Sequence, residues 1–159
     1  MSVAYLASYL NDHLAGSVVA VDILERLERS PLAADLALQC AGLRRDIESD
    51  RNELKALMNG VNVTESWPRK AAAWSAAKMT EIKLRLEDEA NGPLRLLELI
   101  EAVALGIDGK LALWRSLATA SETAGQLRQA DYNRLEHRAI EQRRRAEDIR
   151  LGFARAALG

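Results

Sequence analysis

Apolar side chains recur along most of the chain at spacings of three and four residues, which is the pattern of helices with one buried face. Proline, glycine and capping residues interrupt this pattern and divide it into helical segments. The five predicted segments are about 3–29, 31–59, 67–86, 93–119 and 131–157. No stretch alternates apolar and polar residues over more than a few positions, as a half-buried strand would. The pattern therefore predicts an all-α protein.

The lengths and connections of these segments predict how they pack. Four segments have about 26 to 29 residues, close to 40 Å at about 1.5 Å per residue. Ser30 and Pro31 leave almost no linker after the first segment, so the first two must pack antiparallel, and Gly60 is expected as the C′ glycine that ends the second. Residues 120–130 allow a second hairpin. Two antiparallel hairpins joined by a crossover helix predict a ferritin-like four-helix bundle, with 1–159 as a single domain.

The fourth segment is apolar on two faces, so it must be covered twice. Its main stripe is Leu97, Ile100, Ala104, Ile107 and Leu111, and its second stripe is Leu99, Leu113 and Leu117. The second cover comes either from the crossover segment with its tryptophans or from another subunit, and the latter alternative predicts a homodimer. Gly106 and Gly109 lie within this segment and are expected to permit close helix approach.

Composition excludes several classes of protein. The hydrophobic share of 48% and charged share of 28% are ordinary for a soluble domain. A net charge of −1 gives no field that would attract nucleic acid or an anionic membrane. No apolar run approaches the roughly 20 residues of a membrane span, and no signal peptide is visible. Cys40, the single cysteine, excludes an intrachain disulfide. These features predict a cytoplasmic protein. The basic run 143–145 is interleaved with acidic residues, which is typical of a salt-bridged surface rather than of a nucleic-acid interface.

His13 is the main chemical signal, because it lies near the middle of the apolar stripe of the first segment. A buried imidazole without a partner costs roughly 1–3 kcal/mol. Asp50 flanks the stripe of the second segment, and Glu101 and Asp108 follow one edge of the fourth. One alternative is that a carboxylate holds the His13 N–H in a network that fixes helix register. The other is a metal site in which His13, Asp50, Glu101 and Asp108 bind a transition metal such as Fe, Mn or Zn.

A di-iron centre is not supported by the motifs of the chain. Ferritin-like sites use Glu-x-x-His pairs, but Leu10 precedes His13 and Arg134 precedes His137 at that spacing. His137 lies opposite the apolar stripe of the fifth segment and is expected on the surface. No Ser/His/Asp or Cys/His set indicates nucleophilic catalysis. We therefore expect a protein that acts by binding or assembly rather than by catalysis, with metal binding as the alternative.

Three stretches of the chain carry a resemblance to a family. They are Tyr9–Ser17 (YLNDHLAGS), Asp46–Arg51 (DIESDR) and Gly106–Lys110 (GIDGK) followed by Leu113-Trp114-Arg115. In combination they resemble a group of uncharacterised bacterial proteins with ferritin-like helical bundles. The resemblance covers most of the chain and implies the bundle fold and a bacterial cytoplasmic origin. It implies no activity.

Overall fold

The computed structural model describes residues 3–66 and 92–159, which form four long α-helices and two short 3₁₀ helices. The helices are α1 (Val3–Arg29), α2 (Ala37–Gly60), α3 (Gly92–Ser121) and α4 (Tyr132–Leu158). The 3₁₀ helices are Pro31–Leu36, before α2, and Gly125–Leu127, before α4. No strand occurs within the described ranges, and the prediction of an all-α protein is confirmed. The predicted helix at 67–86 lies outside the described residues.

The helices pack side by side in a ring. α1 packs against α2 and α3, and α4 packs against the same two helices. Each helix runs antiparallel to both of its neighbours, because the second half of α1 shares a core with the first halves of α2 and α3 and the second half of α4. It follows that α2 ends and α3 begins at opposite ends of the bundle.

Buried apolar residues form two separate cores, one in each half of the bundle. The first core includes Ile23, Leu24, Leu27, Cys40, Leu43, Ile47, Ile100, Val103, Ile107, Ile149 and Phe153. The second core includes Leu10, Leu14, Leu54, Leu57, Met58, Leu113, Trp114, Leu117, Tyr132, Leu135 and Ala139. Cys40 is fully buried, and burial raises the pKa of its thiol to about 11.

Both predicted stripes of α3 are covered within a single chain. Leu99 belongs to the first core, and Leu113 and Leu117 belong to the second. Leu111, from the main stripe, is half-buried against the second core. Because α3 has α1 on one side and α4 on the other, its second apolar face does not require another subunit.

Asn62, not Gly60, supplies the left-handed residue that ends α2, so the C′ prediction for Gly60 was wrong. Asn62 has a φ of 56°, and Gly60 is still helical. The N–H of Val63 donates to the carbonyl of Met58 at 2.8 Å, and the N–H of Asn62 donates to that of Asn59 at 3.1 Å. This is a Schellman motif, in which asparagine tolerates the left-handed conformation.

The connections between helices are held by local hydrogen bonds. Pro31 starts a 3₁₀ turn rather than the α-helix predicted there, and Ser30 before it makes no side-chain capping bond. Asp131 caps α4, because its carboxylate accepts from the N–H of Arg134 at 3.0 Å. Arg128 donates to two carbonyls at the end of α3, which are otherwise unpaired at a helix terminus.

Within residues 3–66 and 92–159, no helix is long and apolar enough to cross a membrane.

Candidate functional site

A layer of polar side chains separates the two cores at the middle of the bundle. At its centre is Asp50, whose residue is 1% exposed. The Nζ atom of Lys110 lies 2.5 Å from its Oδ2 atom, and the side-chain amide of Gln142 donates to the same oxygen at 2.8 Å. Lys110 also donates to the amide oxygen of Gln142. The Nη2 atom of Arg138 lies 2.9 Å from Oδ1. These four side chains, contributed by α2, α3 and α4, form what we call the polar layer.

The charges of the polar layer balance only when Glu53, which lies 3.8 Å from Arg138, is counted with it. One carboxylate, that of Asp50, faces the two cations Lys110 and Arg138. Burial lowers the pKa of Lys110, while the Asp50 carboxylate opposes that shift. Arg138 approaches Oδ1 as an ion pair outside hydrogen-bond alignment, so this buried oxygen makes no hydrogen bond with the described residues.

A cavity of about 290 Å³ lies beside this layer, between α1, α2 and α3. Its walls are mainly apolar and include Ala20, Ile47, Leu54, Ile107 and Leu113. Its polar lining includes Asp12, His13, Ser17, Asp50, Arg51, Lys110 and the indole of Trp114. Since small-molecule sites combine apolar walls with a few placed polar groups, this cavity is the candidate site.

Three glycines leave space in the cavity, and the expectation that two of them, Gly106 and Gly109, permit close helix approach was wrong. Gly16 on α1 and Gly106 and Gly109 on α3 all line the cavity. A Cβ atom added at any of these positions would have no contact within 4 Å among the described residues. The described part of the chain therefore places no neighbouring helix against these glycines.

His13 lines the cavity, but the carboxylate predicted to hold its N–H is not there. The imidazole makes no hydrogen bond with any described residue, and its ring packs edge-on against Tyr9 with 4.7 Å between centroids. Both oxygens of Asp50 face cations or an amide from α3 and α4 instead. Ser17, one turn further along α1, donates to its own helix at the carbonyl of Leu14. Burial lowers the pKa of His13, and the Asp12 carboxylate opposes the shift.

Arg51 and Trp114 bring buried donors without acceptors to the cavity lining. The Nε atom of Arg51 and the indole Nε1 atom of Trp114 are buried and have no hydrogen-bond partner among the described residues. Trp114 is 1% exposed. A buried donor left unpaired costs roughly 1–3 kcal/mol, so these two side chains are held in an unsatisfied state.

Glu101 and Asp108, the other predicted metal ligands, do not line the cavity with His13 and Asp50. Asp108 pairs with Arg143 on α4 at 3.2 Å, and Glu101 lies 3.6 Å from Arg150 on the same helix. In the part of the chain that the structure describes, no group of three or more His, Cys, Asp or Glu side chains is placed to hold a metal ion. The metal site stays a prediction without a coordinating cluster in these ranges.

Lys110 and Arg138 are the members of the polar layer that sequence patterns did not identify. Both lie beside, not within, the apolar stripes of their helices, and their long stems reach inward to Asp50. The residue that could have indicated them is Gln142, which lies in the buried stripe of α4. A buried side-chain amide needs hydrogen-bond partners. Arg138 lies four residues before Gln142, on the same face of the helix.

The basic run on α4 is salt-bridged, as predicted. Arg143 pairs with Asp108 and Glu147, Arg144 with Glu141 and Asp148, and Arg145 with Asp46.

Comparisons of the chain with protein-family models, with curated proteins and with solved structures find no significant match in any of the three. Fold and site together define the class: an all-α helical bundle whose described residues enclose a partly polar cavity at mid-height.

Proposed function

We propose that this protein binds a small organic molecule in the mid-bundle cavity and acts by binding rather than by catalysis. The observation that carries this proposal is the open space in front of Gly16, Gly106 and Gly109. Glycine within a helix is about 1 kcal/mol less favourable than alanine. Alanine would fit here without a clash against any described residue, so packing within residues 3–66 and 92–159 does not explain the three glycines, whereas room for a ligand does.

The chemistry of the lining favours binding over catalysis. A nucleophile needs an adjacent base held by a third group. The hydroxyl of Ser17 is turned to the carbonyl of Leu14, and His13 has no hydrogen-bonded partner among the described residues. The lining therefore offers recognition groups without an activated nucleophile.

Neutral apolar probes test whether the cavity takes a ligand. Indole and naphthalene are titrated into the protein, and the melting temperature is followed by circular dichroism. We expect a rise with probe concentration, because a ligand that binds only the folded state stabilises it.

Gly109→Leu fills the cavity and should abolish this rise, while Ala102→Leu adds the same side chain at an exposed position of the same helix and should preserve it. The proposal is wrong if neither probe raises the melting temperature, or if the two variants respond alike.

We further propose that the bundle is ferritin-like. The parallel arrangement of α2 and α3, with α2 ending and α3 beginning at opposite ends of the bundle, supports one long crossover between two hairpins. The resemblance to bacterial ferritin-like proteins is part of the same proposal. A homodimer and a cytoplasmic location stay predictions. Light scattering coupled to size-exclusion chromatography tests the first, and a strictly monomeric mass at all concentrations would exclude it.

A further inference from the structure

We infer that the molecule held in the cavity carries a carboxylate on an apolar body, and that Arg51 binds the carboxylate. The inference rests on the proposed function, since it names the ligand class of the same cavity. It is carried by a cation beside that cavity for which the described residues supply no counterion.

Arg51 differs from the comparable arginines of the chain. It is half-buried, yet it makes no hydrogen bond or ion pair with any described residue. Each of the other half-buried arginines in the described ranges holds a carboxylate: Arg26, Arg44, Arg138, Arg143, Arg145 and Arg150. A partly desolvated cation is stabilised by an anion, and the anion for Arg51 is not supplied within these ranges.

The free donors fit a carboxylate. A guanidinium presents a planar fork of N–H groups that matches the two oxygens of a carboxylate. The buried Nε of Arg51 is one arm of such a fork, and the indole N–H of Trp114 is a further donor in the same lining. Both atoms are buried, so a ligand carboxylate would pair with them once these two side chains turn toward the cavity.

The charge and shape of the cavity favour a monoanion with an apolar body. The lining already holds the carboxylates of Asp12 and Asp50, and of its two cations only Arg51 has no ion pair with the described residues, which leaves room for a single negative charge beside it. Lys110 is already engaged by Asp50, so a doubly charged phosphate would lack a second free cation. The apolar walls, formed by residues such as Leu54 and Ile107, fit a hydrocarbon chain or ring.

Octanoate and 1-octanol form a matched pair of probes, because they share an apolar body and differ in the charged head. Isothermal titration calorimetry on the full chain measures both affinities. We expect octanoate to bind the wild-type protein at least ten-fold more tightly than octanol.

Arg51→Met should weaken octanoate binding at least ten-fold and leave octanol within two-fold, which also shows that the variant is folded with its cavity intact. Arg51→Lys keeps the charge but loses the planar fork of N–H groups. Its affinity for octanoate should fall between that of the wild-type protein and that of Arg51→Met. Arg45→Met removes an equal charge from an exposed position of α2 outside the cavity, and should leave the preference for octanoate unchanged.

The outcomes separate this inference from the proposed function. If the wild-type protein binds octanol as tightly as octanoate, the carboxylate assignment is wrong and the cavity still binds ligands. If Arg51→Met no longer binds either probe, the assignment of the carboxylate to Arg51 is wrong. The same follows if Arg51→Lys and Arg45→Met change the preference for octanoate over octanol equally. If octanoate, octanol, indole and naphthalene all fail to bind the wild-type protein, the proposed function itself fails.

Discussion

Asp50 shows how much a single buried carboxylate depends on its surroundings. Its side chain is 1% exposed, and it lies within reach of Lys110, Arg138 and Gln142. Taking an ion out of water is expensive unless the interior returns hydrogen bonds and opposite charge. The stability of the folded chain is therefore sensitive to any change that leaves one partner of this cluster alone.

Replacing Asp50 by alanine should lower the free energy of unfolding by about 3–5 kcal/mol, because Lys110 would remain as an uncompensated buried charge. The exposed pair between Asp108 and Arg143 provides the control, since its acid is half exposed. Asp108→Ala should change stability by less than about 1 kcal/mol. Urea unfolding of both variants measures the difference. Equal losses of unfolding free energy would contradict the view that Asp50 compensates a buried charge.

His13 gives stability a pH dependence of definite sign. Burial holds the folded-state pKa of His13 below its ordinary value, which is about 6.5 in an unfolded chain. The unfolded state then binds more protons in the interval between the two values, so stability rises with pH there. The contribution is present above pH of about 6.5 and is lost as pH falls through the lower, folded-state value.

Urea unfolding between neutral and mildly acidic pH checks this expectation. The free energy of unfolding should fall less steeply on acidification in His13→Gln than in the wild-type protein. His137→Gln, which removes an imidazole from an exposed position of α4, is measured beside it as the matched histidine substitution. An unaltered slope in His13→Gln would show that another group is responsible.

At the scale of single helices, the residues before two helix starts look alike in sequence but differ in capping. Asp131 accepts from the N–H of Arg134, whereas Ser30 precedes Pro31 without a side-chain bond. Both residues are typical N-caps in sequence. Only the structure separates them, because Ser30 leads into a 3₁₀ turn in which its side chain has no capping bond to a backbone N–H.

We expect Asp131→Ala to destabilise the protein by about 1 kcal/mol, the typical loss for a bonded N-cap. Ser30→Ala should stay within about 0.5 kcal/mol of the wild-type value, as is usual for substitutions that break no such bond. Thermal unfolding of the two variants compares them directly. A larger loss of stability in Ser30→Ala than in Asp131→Ala would contradict the assignment of Asp131 as the bonded N-cap.

Sequence patterns predicted the helices well and the site only in part, for a physical reason. Repeating apolar positions report which face is buried, so the bounds of α1 and the buried stripe of α4 followed from spacing. They do not report how far a flexible charged stem reaches. Lys110 and Arg138 therefore escaped notice, and Glu101 and Asp108 were assigned to the interior although they pair with α4 near the surface. The left-handed residue Asn62 was missed because Gly60, two positions earlier, is the commoner choice.

Across the whole molecule, the polar layer interrupts what would otherwise be one continuous core. The apolar clusters on either side bury the large side chains of all four helices. Ion pairs in such a position are often no better for stability than well-packed apolar residues of similar size. Two explanations for the layer can be distinguished: it stabilises the fold, or it is retained for the cavity that Asp50 and Lys110 line.

Replacing the layer as a unit separates the two explanations. The triple variant Asp50→Leu, Lys110→Met and Gln142→Leu leaves no unpaired charge within the polar layer, since Arg138 is partly exposed and lies 3.8 Å from Glu53. We expect the free energy of unfolding in urea to equal or exceed the wild-type value by up to about 4 kcal/mol, in contrast to the large loss expected for Asp50→Ala alone. A triple variant as unstable as Asp50→Ala would mean that the layer stabilises the fold directly. A stable one would mean that these buried charges are kept for the site, because the fold itself does not need them.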